Sequence, residues 1–343
     1  MKVNTITIDL AKTIFQVTGF NRAHQRIFNK RLNRNQLVEF LCNHEPCFIV
    51  MEACYSSHYW GRLLNSFGHT VKLIPAQHVT PFVRGNKNDS NDALAIYEAS
   101  CRPNIRFVPI KTEAQQEILM LHKRRERLLQ ARTACSNQLR GLLVDFGITF
   151  PKGVKKFETA IKHLLTSNRL RPLVQEMVEA DLAEFQFLKR RIATIEAKLR
   201  YHIEHDSNAN IVHSIPGIGV LNASAFAASI ANGKMFNKAN DISVWLGLTP
   251  KQYASGTTNK MAGITKRGNP YLRKQLINGA RALVAMCKSN RNKHDDALSM
   301  WIKQLLERKH FNCVVVATAC KLARLMWTLL QKQQMYKPLM RNV

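Results

Sequence analysis

The stretch VNTITIDLAKTIFQVTGF, residues 3–20, decides the fold of the amino-terminal part of this 343-residue chain. It contains two runs rich in β-branched and aromatic residues, which are typical of strands. The run QRIFNK follows an NRA turn and has the composition of a third strand. We therefore predict that the protein opens with a meander of three strands.

The next segments alternate between helical and strand patterns. We predict a helix in NRNQLVEFLCNH, a strand in CFIVME, a helix in SSHYWGRLLNSFG, a strand in TVKLIP, a helix in SNDALAIYEAS and a last strand in IRFVPI. Three leading strands followed by alternating helices and strands predict an α/β sheet layered with helices. This is the order expected of a ribonuclease-H-like domain, to which we assign residues 1–111.

A helical middle segment, residues 112–206, follows. TEAQQEILMLHKRRERLLQARTACSNQLRGLLVDFG predicts one long helix, and a second runs from about Leu173 to His205. FGITFPKGVKKF separates them, so we predict an antiparallel helical hairpin. A plain helical bundle and a coiled-coil arm for dimerisation fit this spacing equally well.

The remaining residues, 207–343, form a third, mainly helical region. In HSIPGIGVLNASAFAASI, Pro216, Gly217 and Gly219 predict a tight turn before a helix of small residues. It resembles a helix-hairpin-helix turn, whose amides can hold a phosphate, which makes the two glycines candidate nucleic-acid contacts. An ordinary helix cap fits the string equally well. Two helical segments, about 269–288 and 295–333, end the chain.

The composition indicates a polyanionic partner. Fifty-one Lys and Arg against 23 Asp and Glu give a net charge of +28 and a pI near 10.1. Nucleic acid fits better than a membrane, because the chain has no apolar amino-terminal segment and Lys321 and Arg324 interrupt CVVVATACKLARLMWTLL. We predict that this stretch is a buried amphipathic helix. The 8 cysteines lack zinc-site spacing and are expected to be reduced, mostly buried thiols of a cytoplasmic protein.

Four acids lie at the ends of predicted elements. Asp9 ends the first strand, Glu52 ends the strand CFIVME, and Asp89 and Asp92 share one face of a helix start. In a sheet of this topology the two strands are neighbours, so the four carboxylates could converge. Clustered carboxylates bind hard divalent cations, Mg²⁺ or Mn²⁺. The alternative is structural, because strand-end acids often face water and Asp89 could cap the helix.

The stretch YASGTTNKMAGITKRGNPYLRK, residues 253–274, is a basic loop around Ser255. It has no acid, and its glycines would let its backbone approach a phosphate closely. The cations that could contact a phosphodiester are Lys260, Lys266, Arg267 and Arg273. From the residues alone, a serine in a Ser-Gly turn is better explained as a turn residue than as a nucleophile.

The acids in TIDLAK, VMEAC and KNDSNDALAI, followed by IPGIG and YASGTTNKMAGITKRGNPYLRKQLINGARALV, together resemble the DEDD transposases of the insertion-sequence one-ten family, which are related to the Piv and MooV invertases. The resemblance covers nearly the whole chain. It implies a RuvC-like amino-terminal domain and a carboxy-terminal transposase domain joined by a helical segment. It also implies that Asp9, Glu52, Asp89 and Asp92 are the metal-binding tetrad and that Ser255 is the nucleophile.

The resemblance implies partners as well. The family recombines DNA as multimers, a dimer or tetramer, with a site shared between subunits and a non-coding guide RNA. We therefore expect a site-specific DNA transposase. A RuvC-like junction resolvase that hydrolyses strands and a non-catalytic nucleic-acid-binding protein are the alternatives.

Overall fold

The computed structural model describes residues 2–84, 89–167, 169–289 and 296–338, and within these ranges it leaves out the side chain of Asp89. The chain divides into two compact units, Met1–Gln116 and Glu117–Val343. Each unit is described by itself.

The first unit is built on a mixed sheet of five strands. They are β1 (Thr5–Asp9), β2 (Ile14–Phe20), β3 (Arg26–Asn33), β4 (Phe48–Glu52) and β5 (Thr70–Ile74), in the spatial order β3-β2-β1-β4-β5. The first three form an antiparallel meander, whereas β4 pairs in parallel with β1 and β5. The predicted meander and the two later strands are confirmed. Since β1 and β4 are parallel neighbours, their carboxyl ends lie at the same edge.

Four α-helices and a 3₁₀ turn connect or cover these strands. They are α1 (Arg34–Cys42), α2 (Ser57–Ser66), α3 (Ala76–Val79), the 3₁₀ turn Thr80–Phe82 and α4 (Asp89–Ser100). Helix α1 begins where the sequence predicted, because Asn33 and Gln36 form a reciprocal capping box. The start of α4 at Asp89 also agrees with the prediction.

Apolar residues fill both faces of the sheet. On one face Ile8 and Met51 pack with Trp60 of α2. On the other face Val50 and Ile74 pack against α4 through Ala95, Ile96 and Ala99. Because both faces are covered, β4 reads as a continuous apolar run, FIVM, that ends in Glu52, whereas β1 alternates Thr and Ile before Asp9.

The last predicted strand, IRFVPI, is wrong. Only Val108 makes a β-bridge there, with its N–H donating to the Leu73 carbonyl at 2.7 Å. The next residue is Pro109, which has no N–H to continue a ladder. The segment therefore runs beside β5, the outermost strand, without extending the sheet.

The second unit begins with a helical segment. Its helices are α5 (Glu113–Val144), α6 (Val154–Thr166) and α7 (Pro172–His205). Helices α5 and α7 are antiparallel, since Leu128 packs with Leu188 and Ile192 while Leu139 packs with Val178. The predicted hairpin is confirmed, but the segment between its arms was taken for a connection only. It contains α6, so this end of the hairpin is a three-helix bundle.

The rest of the second unit is mainly helical. Its elements are α8 (Ser207–His213), α9 (Val220–Ile230), α10 (Ala239–Trp245), β6 (Pro250–Ser255), β7 (Thr258–Ile264), α11 (Pro270–Lys288), α12 (Ala297–Arg308) and α13 (Phe311–Lys332). The segment predicted as one helix over 295–333 is two, because the chain is extended at Lys309 before His310 caps α13.

Helix α13 is the one helix of the described part of the chain that is long and apolar enough to cross a membrane. In this structure it is a core helix, with Val314, Leu322, Met326 and Leu330 buried in the main apolar cluster of the second unit. The predicted amphipathic core helix is therefore confirmed.

All 8 cysteines are free thiols, as predicted, but the expectation that most are buried is wrong. Only Cys135 and Cys287 are buried, and Cys42, Cys101 and Cys313 are exposed.

Candidate active site

Asp9 and Glu52 lie side by side at the carboxyl edge of the first unit's sheet. Ile8 pairs in register with Met51, so Asp9 and Glu52 occupy the next position on the two strands. Neighbouring strands are about 4.8 Å apart. Since side chains alternate along a strand and Ile8 and Met51 point to the α2 face, the two carboxylates point to the α4 face. Both residues are half-buried.

Helix α4 brings its first turn to this edge. Gln16, which pairs with Asp9, donates to the Asn29 side chain, and Asn29 Nδ2 donates to Ser90 Oγ at 3.0 Å. At the other end of the strands the Phe20 ring stacks on Tyr97, with ring centroids 3.6 Å apart. The helix therefore runs antiparallel to β1, and its amino-terminal turn lies at the edge where Asp9 and Glu52 end their strands.

This orientation places the backbone of the other two acids on the same edge. Asp92 is half-buried in the first turn of α4, and Asp89 is the first residue of that helix. Residues three apart share one face of a helix. Among the residues whose side chains are described, no group of three His, Cys, Asp or Glu is close enough to hold a metal ion. The side chain of Asp89 is outside that set.

The residues fit a hard divalent cation by their donor chemistry. The two neighbouring carboxylates and the half-buried Asp92 offer only oxygen ligands, which is the set that Mg²⁺ and Mn²⁺ prefer. Asp9 and Glu52 also interact with other groups of the protein. The chemistry supports a cation at this edge of the sheet, and no ligand geometry is assigned to it.

Ser255 lies in the second unit, at the tip of a hairpin. It is the last residue of β6 and pairs with Thr258 of β7 across a two-residue turn, in which Gly256 has φ +53°. Every residue of the two strands is exposed except the half-buried Ile264. Within the described residues the Ser255 hydroxyl has no hydrogen-bond partner, so it is accessible to a substrate.

The base of the hairpin is held tightly, in contrast to its tip. Gly247 and Gly268 have positive φ, and a Cβ on them would lie 2.0 Å from the Arg267 oxygen and 1.9 Å from the Trp245 oxygen. A side chain at either position would force these backbones apart. The Lys266 N–H donates to the Gly247 oxygen at 3.0 Å, with Lys266 itself at φ +57°. The loop after β7 is thus fixed against the turn before β6.

The four predicted phosphate contacts fall into two groups. Lys260, Lys266 and Arg267 are exposed on or next to the hairpin. Arg273 is half-buried, and its Nη1 donates to the carbonyl oxygens of Leu246 and Arg267, both at 3.0 Å. The guanidinium of Arg273 therefore braces the base of the hairpin.

The turn at Gly217 and Gly219 packs on α11 and borders a cleft. Gly217 has φ +81°, and a Cβ on Gly279 of α11 would lie 2.3 Å from the Gly217 oxygen. Gly219 caps α9 without a side chain. A cleft of about 560 Å³ opens beside it, and its polar lining includes Arg200, Asn222, Gln275 and Asn278.

Asn222 is a feature of this cleft that the sequence did not reveal. Its side chain is only 9% exposed and has no hydrogen-bond partner among the described residues. It stands in the first turn of α9 and was hidden in a run of small, apolar residues.

A buried histidine network beside the hairpin was also missed. His122 of α5 bonds Tyr271 Oη through Nδ1 at 2.9 Å and Ser224 Oγ through Nε2 at 3.0 Å. Burial, the charge of Arg125 and that of His202 lower the pKa of His122 from 6.5 to about 4. The neutral ring therefore fixes Tyr271, which stands in the first turn of α11, directly after the hairpin loop.

Two family models match parts of this chain. Residues 6–148 match a family model for the DEDD transposase domain of the IS110 type, described as "Transposase". Residues 209–295 match the model described as "Transposase IS116/IS110/IS902 family".

Three relatives match nearly the whole chain. A "Probable family 20 transposase" of Pseudomonas aeruginosa is 39% identical over 98% of this chain and 100% of its own length. The "Transposase for insertion sequence element IS1111A" of Coxiella burnetii is 36% identical over 98% of this chain and 92% of its own length. The "Transposase for insertion sequence element IS1328" of Yersinia enterocolitica is 36% identical over 95% of this chain and 96% of its own length.

The acid-edged sheet, the basic serine hairpin and these matches define the class, which is that of DNA transposases. Within that class, the chain belongs to the IS110/IS116/IS902 family of insertion-sequence transposases.

Proposed function

We propose that this transposase cuts and rejoins DNA through a covalent link to Ser255, supported by a divalent cation held by Asp9, Glu52, Asp89 and Asp92. The observation that supports it most is the position of Ser255, exposed at the tip of a hairpin whose strands contain Lys251 and Lys260 and no acid. A phosphodiester can reach the hydroxyl there from several directions.

The covalent step conserves the number of phosphate ester bonds. Ser255 Oγ attacks phosphorus, and the Oγ–P bond forms as a bond from phosphorus to a deoxyribose oxygen breaks. The serine proton leaves to a base, and the departing oxygen takes up a proton. The reverse attack by a different deoxyribose hydroxyl joins a new pair of strands and frees the serine.

The cations near Ser255 have two roles in this proposal. Lys260, Lys266 and Arg267 contact phosphates, because they are exposed beside the serine. Arg273 keeps the hairpin in place through its bonds to two carbonyl oxygens. Gly217 and Gly219 present the amino terminus of α9 to a further phosphate.

The acidic edge is the end of the sheet where Asp9 and Glu52 end their strands and Asp89 and Asp92 begin α4. We assign the metal to this edge because its side chains offer oxygen ligands. A divalent cation, Mg²⁺ or Mn²⁺, supplies charge neutralisation at the phosphate when it is bound. The strand order β3-β2-β1-β4-β5, with α4 across it, supports a ribonuclease-H-like, RuvC-like fold for this unit. We accordingly divide the chain into a catalytic domain (1–111), a helical linker (112–206) and a transposase domain (207–343).

The proposal includes partners. We infer that the protein acts in the cytoplasm as a dimer or tetramer on donor and target DNA, with a guide RNA. The net charge of +28 supports binding to such polyanions. Sequencing the nucleic acid that copurifies with the protein tests the guide, because a discrete RNA from beside the gene is expected and random cellular RNA would contradict it.

The covalent link is tested with labelled DNA that contains two recombination sites. The wild-type protein should leave a strand end attached to protein, and Ser255→Ala should lose both this adduct and strand exchange. Thr257→Ala, next to the serine on the same turn, is the matched control and should retain both. If Ser255→Ala still exchanges strands, the nucleophile is assigned wrongly.

A junction resolvase is the second candidate. The neighbouring carboxylates of Asp9 and Glu52 within the first unit favour it, because hydrolysis would need no serine. The same labelled substrate separates the two, since a resolvase would release only free strand ends.

A further inference from the structure

A cleft on the helical segment is lined by cations and hydrogen-bond donors. It measures about 270 Å³ and lies between α5, α6 and α7. Among the described residues, its charged lining consists of Arg132, Arg140 and Lys152, without any Asp or Glu. Three positive charges around one concave space repel one another unless an anion lies between them.

Arg140 is held in position on the floor of this cleft. Its Nη2 donates to the Pro151 carbonyl at 2.9 Å, and its guanidinium lies 4.2 Å from the centroid of the Phe157 ring. Its Nη1 is buried and has no hydrogen-bond acceptor among the described residues. The bond to Pro151 and the contact with the Phe157 ring fix the guanidinium charge beside the cleft, where that charge favours an anion.

The start of α6 adds to the positive potential. The N-cap is Gly153, which provides no side-chain acceptor, and the first turn contains no acid. The first helical bond there is Phe157 N–H to the Gly153 oxygen, at 3.0 Å. The preceding amides of Val154, Lys155 and Lys156 thus have no acceptor within the helix, and the helix dipole favours an anion beside them.

We propose that this cleft binds a phosphate group of a nucleic-acid strand. Arg132 offers a planar fork that matches phosphate oxygens, and Arg140 and Lys152 add two further charges. Asn137 lines the same space and has an amide donor that makes no bond within the described residues. The assignment rests on the proposed function in one respect, which is that the phosphate belongs to nucleic acid.

Binding measurements on the full-length protein test the site. Fluorescent 20-nucleotide single-stranded RNA and 20-base-pair DNA of arbitrary sequence are titrated with wild type and with Arg132→Gln/Lys152→Gln. Neither side chain makes a contact described in the structure, so this variant should fold. The affinity should fall about tenfold for at least one of the two probes. The slope of log K against the logarithm of the salt concentration should become less negative by about one to two.

The control is Arg127→Gln/Lys198→Gln, which removes two exposed charges from α5 and α7 outside the cleft. Its affinity should change less than twofold to threefold. Equal losses in the cleft and control variants would mean that charge alone matters, and they would overturn the site. No loss for either probe would overturn it as well.

Two further measurements separate the remaining explanations. Arg132→Lys keeps the charge but loses the fork, so it should lose about threefold or more in affinity at an unchanged melting temperature. If inorganic phosphate raises the melting temperature of wild type but not of the cleft variant, while nucleic-acid affinity is unaltered, the cleft binds free phosphate and the nucleic-acid assignment is wrong.

The readout is independent of strand exchange. The cleft variant is also made in the Ser255→Ala background, where the same tenfold loss of affinity is expected. Retained strand exchange in Ser255→Ala together with an intact cleft effect would contradict the function of Ser255 only. An intact function with no cleft effect would contradict the phosphate site only.

Discussion

The acidic edge and the serine hairpin are the two halves of the proposed chemistry, and they are built in opposite ways. Asp9 and Glu52 end strands whose neighbours Ile8 and Met51 are fully buried. Ser255 ends a strand of which every residue is exposed. The sheet therefore fixes the carboxylates by packing, whereas the hairpin fixes the serine only through its base at Gly247 and Gly268. The difference predicts that the carboxylates are held rigidly and that the serine can shift with the tip of its hairpin.

The largest effect is expected at the acidic edge. Asp9→Asn keeps the side-chain size but removes the charge, so metal-dependent cleavage should fall by about a thousandfold. Affinity for DNA should change little, because the basic surfaces remain. Cleavage and DNA binding are measured on the same preparation.

Glu39→Gln is the control for that loss. It neutralises an exposed acid of α1 in the same unit and should leave cleavage unaltered. Undiminished cleavage in Asp9→Asn would refute the tetrad.

A pair of methionines measures the contrast in packing. Met51 on β4 is fully buried, whereas Met261 on β7 is 57% exposed. Met51→Ala should lower the free energy of unfolding by about 2–5 kcal/mol, whereas Met261→Ala should change it by about 0.5 kcal/mol or less. Denaturant titrations compare them, and a large loss in Met261→Ala would show that the hairpin is packed in solution.

The smallest of these effects is a loss of folding stability at low pH. It is caused by His122, which bonds Tyr271 directly after the hairpin loop. The pKa of His122 is lowered to about 4 in the folded protein from an ordinary 6.5, because burial disfavours the charged ring. The unfolded chain binds the proton first, so this stability is complete above pH 6.5 and is lost as the pH falls towards 4. The loss should be on the order of 3 kcal/mol.

Variants isolate this contribution from other titrating groups. His122→Gln should flatten the decline of the melting temperature between pH 6.5 and 4 relative to wild type. His213→Gln changes an exposed histidine and should keep the wild-type decline. A wild-type slope in His122→Gln would show that the ring is not buried neutral.

The sequence was sufficient for much of the first unit because its signals are local. Asn33 and Gln36 mark the start of α1. A run rich in β-branched residues before Asp9 and an apolar run before Glu52 mark two strands. The same reasoning gave IRFVPI as a strand, although Pro109 limits its pairing to a single bridge. Pairing between distant strands, which puts the two acids side by side, was assumed from topology and is visible only in the structure.

The second unit was harder because its features depend on contacts between distant residues. Helix α6 was missed because Gly147, Pro151 and Gly153 suggested a connection, although Phe157, Ile161 and Leu164 are spaced for one helical face. Arg273 was assigned to phosphate because a sequence does not show which carbonyl oxygens a guanidinium will meet. The sequence does not indicate that His122 and Asn222 are buried. Burial of a single polar residue leaves no periodic pattern that could be recognised in a sequence.

The exposed hairpin has a consequence for the solubility of the protein. The outer edges of β6 and β7 are unpaired within the described residues, and such edges can add a strand from another molecule. Lys251 on β6 and Lys260 on β7 place positive charge on these strands. Two hairpins therefore repel each other until an anion neutralises the lysines, so the charge that attracts a polynucleotide also protects the free protein against aggregation.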